Sequence, residues 1–377
     1  MRGHVRKRGK KWAIVVFIGI DDAGKRKYKW FSGYETKKEA ERDLPKKLQE
    51  VGDIGFGVAD DEALESFINR WLEDKATQVR PNTMRSYRWP VNSYIIPKLG
   101  NLKLSKITPR HLQNLYTSMR TGEKSVSNRT IQLTHVILHD ALDRAVKWGI
   151  LSRNVAEAVE PPKVERRHTT IWTLDQALNF LQINRPHEDR CWIGFYIAIM
   201  TGMRQGEILA LKWSDIDFDR GFIRIQRTLS WVNGIPIFQD PKTEKSRRSV
   251  AMFEDLGKTL TNHRRKQIAE KLQMGLAYED NDLVIARIDG RPMHQRTFAD
   301  AWYRSLKRTD LPHIRFHDLR HTHASILLEQ DVHLKVVSER LGHSTISITA
   351  DLYSHVLPGL QKRAADTFGE AVRKTQK

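Results

Sequence analysis

Apolar residues near the start of the chain follow a strand pattern. Residues 12–20 form a β-rich apolar run, and residues 25–32 form a second run in which basic and aromatic side chains alternate. A charged helical pattern follows at residues 36–51. The pattern predicts a small module over residues 1–56, made of a three-stranded sheet and one helix. Its core would be small, so we expect modest stability.

A helical spacing of apolar residues replaces the strand pattern after residue 58. Four segments place apolar side chains three or four positions apart, which is typical of helices with one buried face: residues 60–75, 80–100, 108–119 and 125–148. Thr108 and Pro109 mark one of the starts, since an N-cap residue is followed by proline at the first helical position. The four segments predict a helical bundle over residues 58–160.

Residues 154–168 interrupt the helical pattern. They contain Pro161, Pro162 and a run of charges. Because such a composition resists compact folding, it predicts a linker. A third domain would then begin near residue 169 and extend over residues 169–377.

This third domain is predicted to be mixed and mostly helical. Thr173 is the expected cap of its first helix, and residues 192–200 are apolar on every side, which predicts a buried helix. Residues 222–252 have strand character, and amphipathic helices follow at residues 256–272 and 298–306. The whole chain is therefore expected to be multidomain and mainly α, with small antiparallel β-sheets.

A turn followed by a short helix is predicted at residues 201–218, TGMRQGEILALKWSDIDF. Gly202 allows the chain to turn, Arg204 opens the helix, and Glu207 lies one turn further on. An Arg–Glu pair at this spacing is common on helix surfaces. These residues alone therefore do not identify a function.

The C-terminal part of the chain concentrates side chains that can perform chemistry. Asp318 is the predicted N-cap of a helix, with His317 just before it and Arg320 in its first turn. The side chains of His317 and Arg320 are expected to converge at the helix N-terminus. Free backbone N–H groups at such an end favour an anion.

A second helix is predicted at residues 334–341. It would end at Gly342, because glycine suits a left-handed position after a helix. His343 follows directly, and a third helical pattern places Tyr353 ten positions later. A terminal helical pattern at residues 359–372 has apolar residues on one side, which fits packing within the chain or on a neighbouring protomer.

The charge of the chain narrows the range of partners. Its 377 residues include 64 Lys and Arg against 45 Asp and Glu, a formal net charge of +19. We therefore expect a polyanionic partner, with nucleic acid as the leading candidate. No apolar run reaches transmembrane length and no signal-peptide pattern is present, so no membrane association is expected. Cys191 is the only cysteine, which excludes a disulfide framework and fits a reducing cytosolic setting.

Arginine, histidine and tyrosine around one anion site favour phosphoryl transfer. The planar Arg guanidinium binds phosphate oxygens in pairs. Histidine can move protons near neutral pH, and tyrosine can act as a covalent nucleophile. Any one of these residues could belong to an ordinary helical core, but the ordered set H-x-x-R, L-G-H and Y is much rarer by chance.

The segments HDLRHTHAS, ERLGHSTISIT and DLYSHV resemble the C-terminal signature of the tyrosine recombinases, the phage-type integrases. Residues 201–218 resemble the first arginine motif of that family. The bundle resembles its SAM-like core-binding domain, and residues 1–56 resemble its arm-type DNA-binding domain by pattern more than by a fixed motif. The resemblance implies a site-specific DNA recombinase that integrates and excises a phage or other mobile element through a 3′-phosphotyrosyl intermediate.

The resemblance also assigns catalytic roles. Tyr353 is the implied nucleophile, and two arginines neutralise the scissile phosphate. A lysine protonates the leaving 5′ oxygen, one histidine assists proton transfer, and the other hydrogen-bonds the phosphate. In the order of the chain, the implied set is Arg204, Lys242, His317, Arg320, His343 and Tyr353. No metal and no cofactor are implied, because the arginines and the lysine supply the positive charge.

The lysine has two candidates in the polar loop at residues 240–246. Lys242 matches the family by its P-K-T context, and Lys245 is its rival. Glu207 is assigned a structural role beside Arg204.

Three other interpretations remain open from the residues. A metal hydrolase could use His317 and His321, which lie at i,i+4 with His323 nearby, although no H-E-x-x-H motif or acidic ligand set accompanies them. A type IB topoisomerase would use similar chemistry. A catalytically silent DNA-binding regulator would share the fold.

The family resemblance predicts the partners and the location of the protein. Double-stranded DNA would be bound at core and arm attachment sites by a tetramer. A host DNA-bending protein and an excision factor would be further partners. The expected location is the bacterial cytoplasm, on the nucleoid when the protein is bound to DNA.

Overall fold

The computed structural model describes most of the chain in two compact units, Met1–Arg166 and Arg167–Lys377. The described residues are 3–20, 26–54, 62–122, 125–165, 170–187, 190–241, 247–343, 345–353, 365–366, 368–369 and 372–373. Within these residues, no helix has both the length and the apolar character needed to span a membrane.

The first unit opens with the predicted three-stranded sheet and helix. Strands β1 (Gly3–Arg8), β2 (Lys11–Ile20) and β3 (Arg26–Tyr34) are antiparallel and adjacent in that order, and helix α1 (Lys37–Ile54) follows. The apolar pattern located β2, β3 and α1, whereas β1 is too basic to stand out as a strand.

The two faces of this sheet differ in chemistry. Ile14 and Val16 are fully buried with Ala40 of α1, which makes one face of the sheet the core of the module. Because side chains alternate along a strand, Tyr28 and Trp30 lie on the other face, and each is 42% exposed. The guanidinium of Arg8 lies 5.6 Å from the Trp30 ring centroid. This exposed face therefore combines aromatic and basic groups.

A helical bundle forms the rest of the first unit. Its helices are α2 (Leu64–Ala76), α3 (Pro81–Pro90), α4 (Ile96–Leu99), α5 (Pro109–Thr121) and α6 (Asn128–Lys147), and a π-helical turn, Val91–Ile95, joins α3 to α4. The predicted apolar stripes form its core. Thr108 is the N-cap of α5 as predicted, and its hydroxyl accepts from the His111 backbone N–H. The first helix begins at Leu64, so its predicted start at residue 60 is wrong.

The first part of the predicted linker belongs to the bundle. Asn154 donates its side-chain amide to the His139 carbonyl and accepts from the Ala156 N–H, both at 3.0 Å. Ala156 and Val159 are buried. The linker prediction is therefore wrong for residues 154–159, because a buried Asn cap and small apolar residues anchor them. Residues 160–165 have no regular secondary structure.

The second unit is mostly helical, as predicted. Its helices are α7 (Leu174–Asn184), α8 (Trp192–Thr201), α9 (Gln205–Leu209), α10 (Glu254–Met274), α11 (Gln295–Leu306), α12 (Asp318–Glu329), α13 (Leu334–Leu341) and α14 (Ile346–Tyr353). Thr173 caps α7 as expected, with its hydroxyl accepting from the Gln176 N–H. The apolar α8 is buried at the centre of the unit.

The strand region of the second unit divides into two small antiparallel sheets. Strands β4 (Ile216–Asp217), β5 (Phe222–Ile225) and β8 (Arg248–Ala251) form one sheet, and β6 (Thr228–Val232) and β7 (Ile235–Gln239) form a separate hairpin. The fold class, mainly α with small antiparallel sheets, is thus confirmed.

An aromatic core positions the segment that leads into α12. Trp172 and Trp302 pack together at 5.6 Å between ring centroids. The Trp172 indole N–H donates to the Pro312 carbonyl at 2.9 Å, and the Trp302 indole N–H donates to the Ile314 carbonyl at 3.1 Å. Because both indoles are buried, the backbone ahead of His317 is held from the core side.

Candidate active site

Arg204 lies at the junction of α8 and α9. The chain leaves α8 through Gly202, which has a φ of 66°, and Arg204 is the N-cap of α9. Glu207 accepts from the Arg204 backbone N–H at 3.0 Å and from its Nη1 at 2.7 Å. The Arg204 Nη2 donates to the Gly342 carbonyl at 3.1 Å. The arginine is thus oriented from two directions while its side chain remains 35% exposed.

Arg320 projects from the first turn of α12 and is almost fully buried. Its Nη1 donates to the Gly202 carbonyl at 2.9 Å, and its Nη2 donates to the Leu341 carbonyl at 2.6 Å. Burial, and then the nearby Arg204, lower the pKa of Arg320 to about 9. The guanidinium therefore remains cationic at neutral pH. Carbonyls at the C-terminal ends of α8 and α13 hold both arginines.

The N-terminus of α12 differs by one residue from the prediction. His317 occupies the N-cap position and Asp318 is the first helical residue, so the predicted cap at Asp318 is wrong. The Asp318 carboxylate instead accepts from the Arg315 backbone N–H at 2.8 Å and from its guanidinium. This pairing turns the Asp318 carboxylate back toward the preceding residues.

His317 lies at the surface beside His321, one turn along α12. The two rings meet edge to face at 5.4 Å between centroids. The pKa of His317 is lowered to about 4, first by partial burial of its ring and then by the nearby His321 and Arg320. The residue as a whole still has an exposed surface. His317 is therefore neutral at pH 7 and can accept a proton.

His343 follows the end of α13, as predicted. That helix stops at Gly342, whose φ of 66° is left-handed. The His343 Nδ1 lies 2.7 Å from the Thr349 hydroxyl of α14. Burial, then Arg320 and Arg204, lower the pKa of His343 to about 3. His343 is thus a buried neutral imidazole at the arginine cluster.

Of the two remaining predicted residues, Lys242 and Tyr353, the structure describes only the backbone of Tyr353. The backbone of Tyr353 forms the last residue of α14, which begins three residues after His343. Lys242 and its rival Lys245 lie outside the described residues, in the connection between β7 and β8. Arg204 and Arg320 are bound to the same helix ends, at Gly202 and Leu341–Gly342, and His343 follows directly. After burial, the charges of both arginines contribute to the lowered pKa values of His317 and His343.

Two further arginines at this cluster, the nearly buried Arg248 and the half-buried Arg340, are not predicted from the sequence. Arg248 of β8 donates to both oxygens of Glu207, at 2.9 and 3.2 Å, and its Nε donates to the Arg340 carbonyl at 2.7 Å. Arg340 of α13 donates to the Met200 and Ala251 carbonyls and to the Nε2 of His323. Arginines after a polar loop or on an amphipathic helix suggest surface positions, so no sequence signal distinguished them.

His323 is a structural residue at this site. Its Nδ1 lies 2.9 Å from the Ile199 carbonyl and its Nε2 accepts from Arg340, so both ring nitrogens are engaged. Burial, and then Arg340, lower its pKa to about 4. The metal-hydrolase interpretation, which counted His323 as a nearby ligand, therefore loses that residue.

Comparison with known proteins shows which family the chain belongs to. The model of the phage integrase family matches residues 172–359, which include all of the predicted catalytic residues. The SAM-like N-terminal domain of phage integrases matches residues 63–120, and an arm DNA-binding domain matches residues 4–50. A XerC-like tyrosine recombinase of Caldanaerobacter subterraneus subsp. tengcongensis is 32% identical, with 97% of each chain covered. The chain belongs to the phage integrase family.

The recombinase is accordingly an enzyme that breaks and rejoins DNA at specific sites, of the kind found in phages and other mobile elements. The integrase of the Bacillus subtilis element ICEBs1 is 29% identical to it over 81% of this chain and 82% of the relative. This result confirms the function and enzyme class expected from the sequence.

Solved integrase structures share the fold of the recombinase. The Tn1549 transposon integrase in complex with transposon right-end DNA aligns with a TM-score of 0.66 and 17% identity, covering 81% of this chain and 99% of that one. A λ integrase tetramer bound to a Holliday junction aligns with a TM-score of 0.57 and 19% identity, covering 90% and 95%. Both neighbours were solved as DNA complexes.

Proposed function

We propose that Tyr353 attacks the scissile phosphate of DNA and becomes linked to the 3′ phosphate. The bond that breaks is the one to the 5′ oxygen, which leaves as a hydroxyl. Attack by a 5′ hydroxyl on the phosphotyrosine reverses the step and rejoins the strand, so the bond energy is conserved without ATP. The placement of Tyr353 at the end of α14, close in the chain to His343, supports this assignment.

The two arginines would neutralise the non-bridging oxygens of that phosphate. Charge develops there in the transition state, and preorganised donors in a water-poor site stabilise it most. The observation that carries the proposal is the pair of helix ends at Gly202 and Leu341–Gly342. Their carbonyls accept hydrogen bonds from Arg204 and Arg320 and so orient both guanidinium groups.

The histidines and Lys242 would handle protons. His317 would assist proton transfer from the Tyr353 hydroxyl, in line with the family resemblance, and its imidazole is neutral at pH 7. A neutral His343 that accepts the Thr349 hydroxyl at Nδ1 keeps a proton on Nε2 to donate to the phosphate. Lys242 would protonate the departing 5′ oxygen, in line with the family resemblance of its P-K-T context.

A covalent-trapping experiment tests the nucleophile. Tyr353→Phe should retain binding to a core-site duplex and lose the covalent complex, because only the phenolic oxygen can form the phosphoester. A nicked suicide substrate resolved on a denaturing gel detects that complex. Ser354→Ala is the control and should still trap DNA. A covalent band that persists in Tyr353→Phe and disappears in Ser354→Ala would move the nucleophile to Ser354.

The domain roles are part of the same proposal. We assign arm-site binding to residues 1–56, core-site binding to 58–160 and catalysis to 169–377. A tethered second DNA-binding unit raises the effective concentration of the catalytic part at its target. The exposed aromatic and basic face of the N-terminal sheet, with Tyr28 and Trp30, supports the first assignment. A tetramer on DNA, a host DNA-bending protein, an excision factor and a nucleoid location in bacterial cytoplasm complete the proposal.

Deletion of residues 1–56 tests the arm assignment. The truncated protein should cleave a short core-site oligonucleotide at close to the parental rate, since residues 58–377 would supply binding and chemistry. It should fail to integrate between full-length attachment sites. Footprints outside the core should be present with the full chain and absent with the truncation. Normal integration by the truncated protein would show that residues 1–56 contribute only sequence-independent electrostatic attraction to DNA.

A further inference from the structure

Glu207 creates an electrostatic problem for the proposed role of Arg204. Its carboxylate is almost fully buried and lies 2.7 Å from the Arg204 guanidinium. A guanidinium paired with one carboxylate carries no net charge as a unit. Such a pair would orient Arg204 well and attract a phosphate poorly, because little of its charge would act on the substrate.

Arg248 supplies the missing charge at the same carboxylate. It donates to both Glu207 oxygens, and its side chain is 6% exposed. One carboxylate therefore stands between two guanidinium groups, and the trio keeps one net positive charge. Burial alone would raise the pKa of Glu207, but Arg248 and then Arg204 lower it, so the carboxylate is ionised.

The position of Arg248 also links three elements. The Arg248 side chain extends from β8 and donates hydrogen bonds to the Glu207 carboxylate of α9. Its Nε–H also donates to the Arg340 carbonyl in the last turn of α13. The Gly342 carbonyl that holds Arg204 lies two residues after Arg340. Both supports of Arg204, the Glu207 carboxylate and the end of α13, are thus fixed by the same buried guanidinium.

We propose that Arg248 is a positioning residue for strand cleavage, which holds Glu207 and the end of α13 in place and offsets the carboxylate charge so that Arg204 faces the phosphate with a full positive charge. This inference rests on the proposed function of Arg204. Arg248 itself acts through Glu207 and Arg204, and it is buried away from solvent.

Charge-balanced variants distinguish this role from a purely structural one. Arg248→Met should slow single-turnover cleavage of a suicide core-site substrate by about 10-fold or more at saturating protein, by analogy with the weakening of one transition-state donor. Adding Glu207→Gln should recover a large part of that rate, because the neutral amide no longer cancels the charge of Arg204. A role in folding alone predicts the opposite, since the double variant removes more native contacts. Arg248→Lys keeps the charge but cannot donate to both Glu207 oxygens as the planar guanidinium does. Its cleavage rate should fall between those of the parent and Arg248→Met.

The controls separate this inference from the function on which it rests. Arg224→Met removes the same charge from neighbouring strand β5, where Arg224 pairs with Asp217 on the surface, and should cleave within about twofold of the parent. Tyr353→Phe and Arg204→Ala in the same assay test the proposed function itself. The inference is overturned if both are inactive while Arg248→Met cleaves at the parental rate. It is also overturned if Glu207→Gln with Arg248→Met is no faster than Arg248→Met alone.

Discussion

The helical bundle of residues 62–159 and the second unit, residues 167–377 and the proposed catalytic unit, are both mostly helical, but they bury different chemistry. The bundle core is apolar, with Leu64, Trp71 and Leu138 at its centre, and its buried polar groups are the neutral Thr134 and Asn154. The catalytic unit buries a carboxylate and arginine side chains at its functional end. Periodicity is enough to build the first arrangement, whereas the second requires charged groups from distant segments to meet.

Removing either of the two active-site arginines should have the largest effect on activity. Arg204→Ala and Arg320→Ala should each slow cleavage by about 10² or more, as for loss of one transition-state donor. DNA binding should weaken much less, because the chain has 64 Lys and Arg residues that can contribute to phosphate binding. Single-turnover cleavage and gel-shift titration measure the two quantities.

An exposed bundle cation provides the contrast to those variants. Arg110→Ala removes one surface charge from α5. It should cleave within about twofold of the parent at saturating protein, since exposed charges contribute little individually. Equal losses of cleavage in Arg110→Ala and Arg320→Ala would remove the distinction between exposed and buried cations.

Truncating the bundle core should affect stability instead of chemistry. Leu138 is fully buried in α6. Leu138→Ala should lower the free energy of unfolding by about 2–5 kcal/mol through lost burial and the cavity left behind. Urea unfolding followed by circular dichroism measures this change. Folded Leu138→Ala should cleave at the parental rate once bound, and a specific loss of cleavage without a loss of stability would contradict the comparison.

Acidification should weaken the catalytic unit through its buried histidines. The pKa values of His323 and His343 are lowered to about 4 and about 3, so the unfolded chain binds more protons than the native one below the ordinary value near 6.5. Their contribution to the free energy of unfolding is therefore complete above about pH 6.5 and falls as pH decreases toward the native pKa values.

Unfolding midpoints at several pH values measure this smaller effect. His323→Gln should flatten the decline in the unfolding midpoint between about pH 6.5 and 4, because it removes one of the depressed groups. His313→Gln, at an exposed position, is the matched control and should leave the decline unchanged. An identical pH dependence in parent and His323→Gln would show that other groups govern acid stability.

Local signals predicted much of the architecture. The residue types of Thr108, Thr173 and Gly342 predict helix boundaries, and the structure confirms all three. The errors occurred where tertiary contacts override local preference. Residues 154–159 belong to the predicted linker, but the Asn154 side chain donates to the His139 carbonyl of the bundle. Asp318 is a suitable N-cap residue by type, but its carboxylate accepts from the Arg315 guanidinium instead.

The sequence by itself determined which residues we propose for the chemistry, because H-x-x-R, L-G-H and Y are ordered along a short stretch that local helix signals already arrange. Only the tertiary structure decided how the arginines are held. The carbonyls at Gly202 and Leu341, and the sharing of Glu207 between Arg204 and Arg248, join segments far apart in the chain. No local pattern encodes these contacts, since a backbone carbonyl has no side-chain signature and a buried arginine has the same sequence appearance as an exposed one.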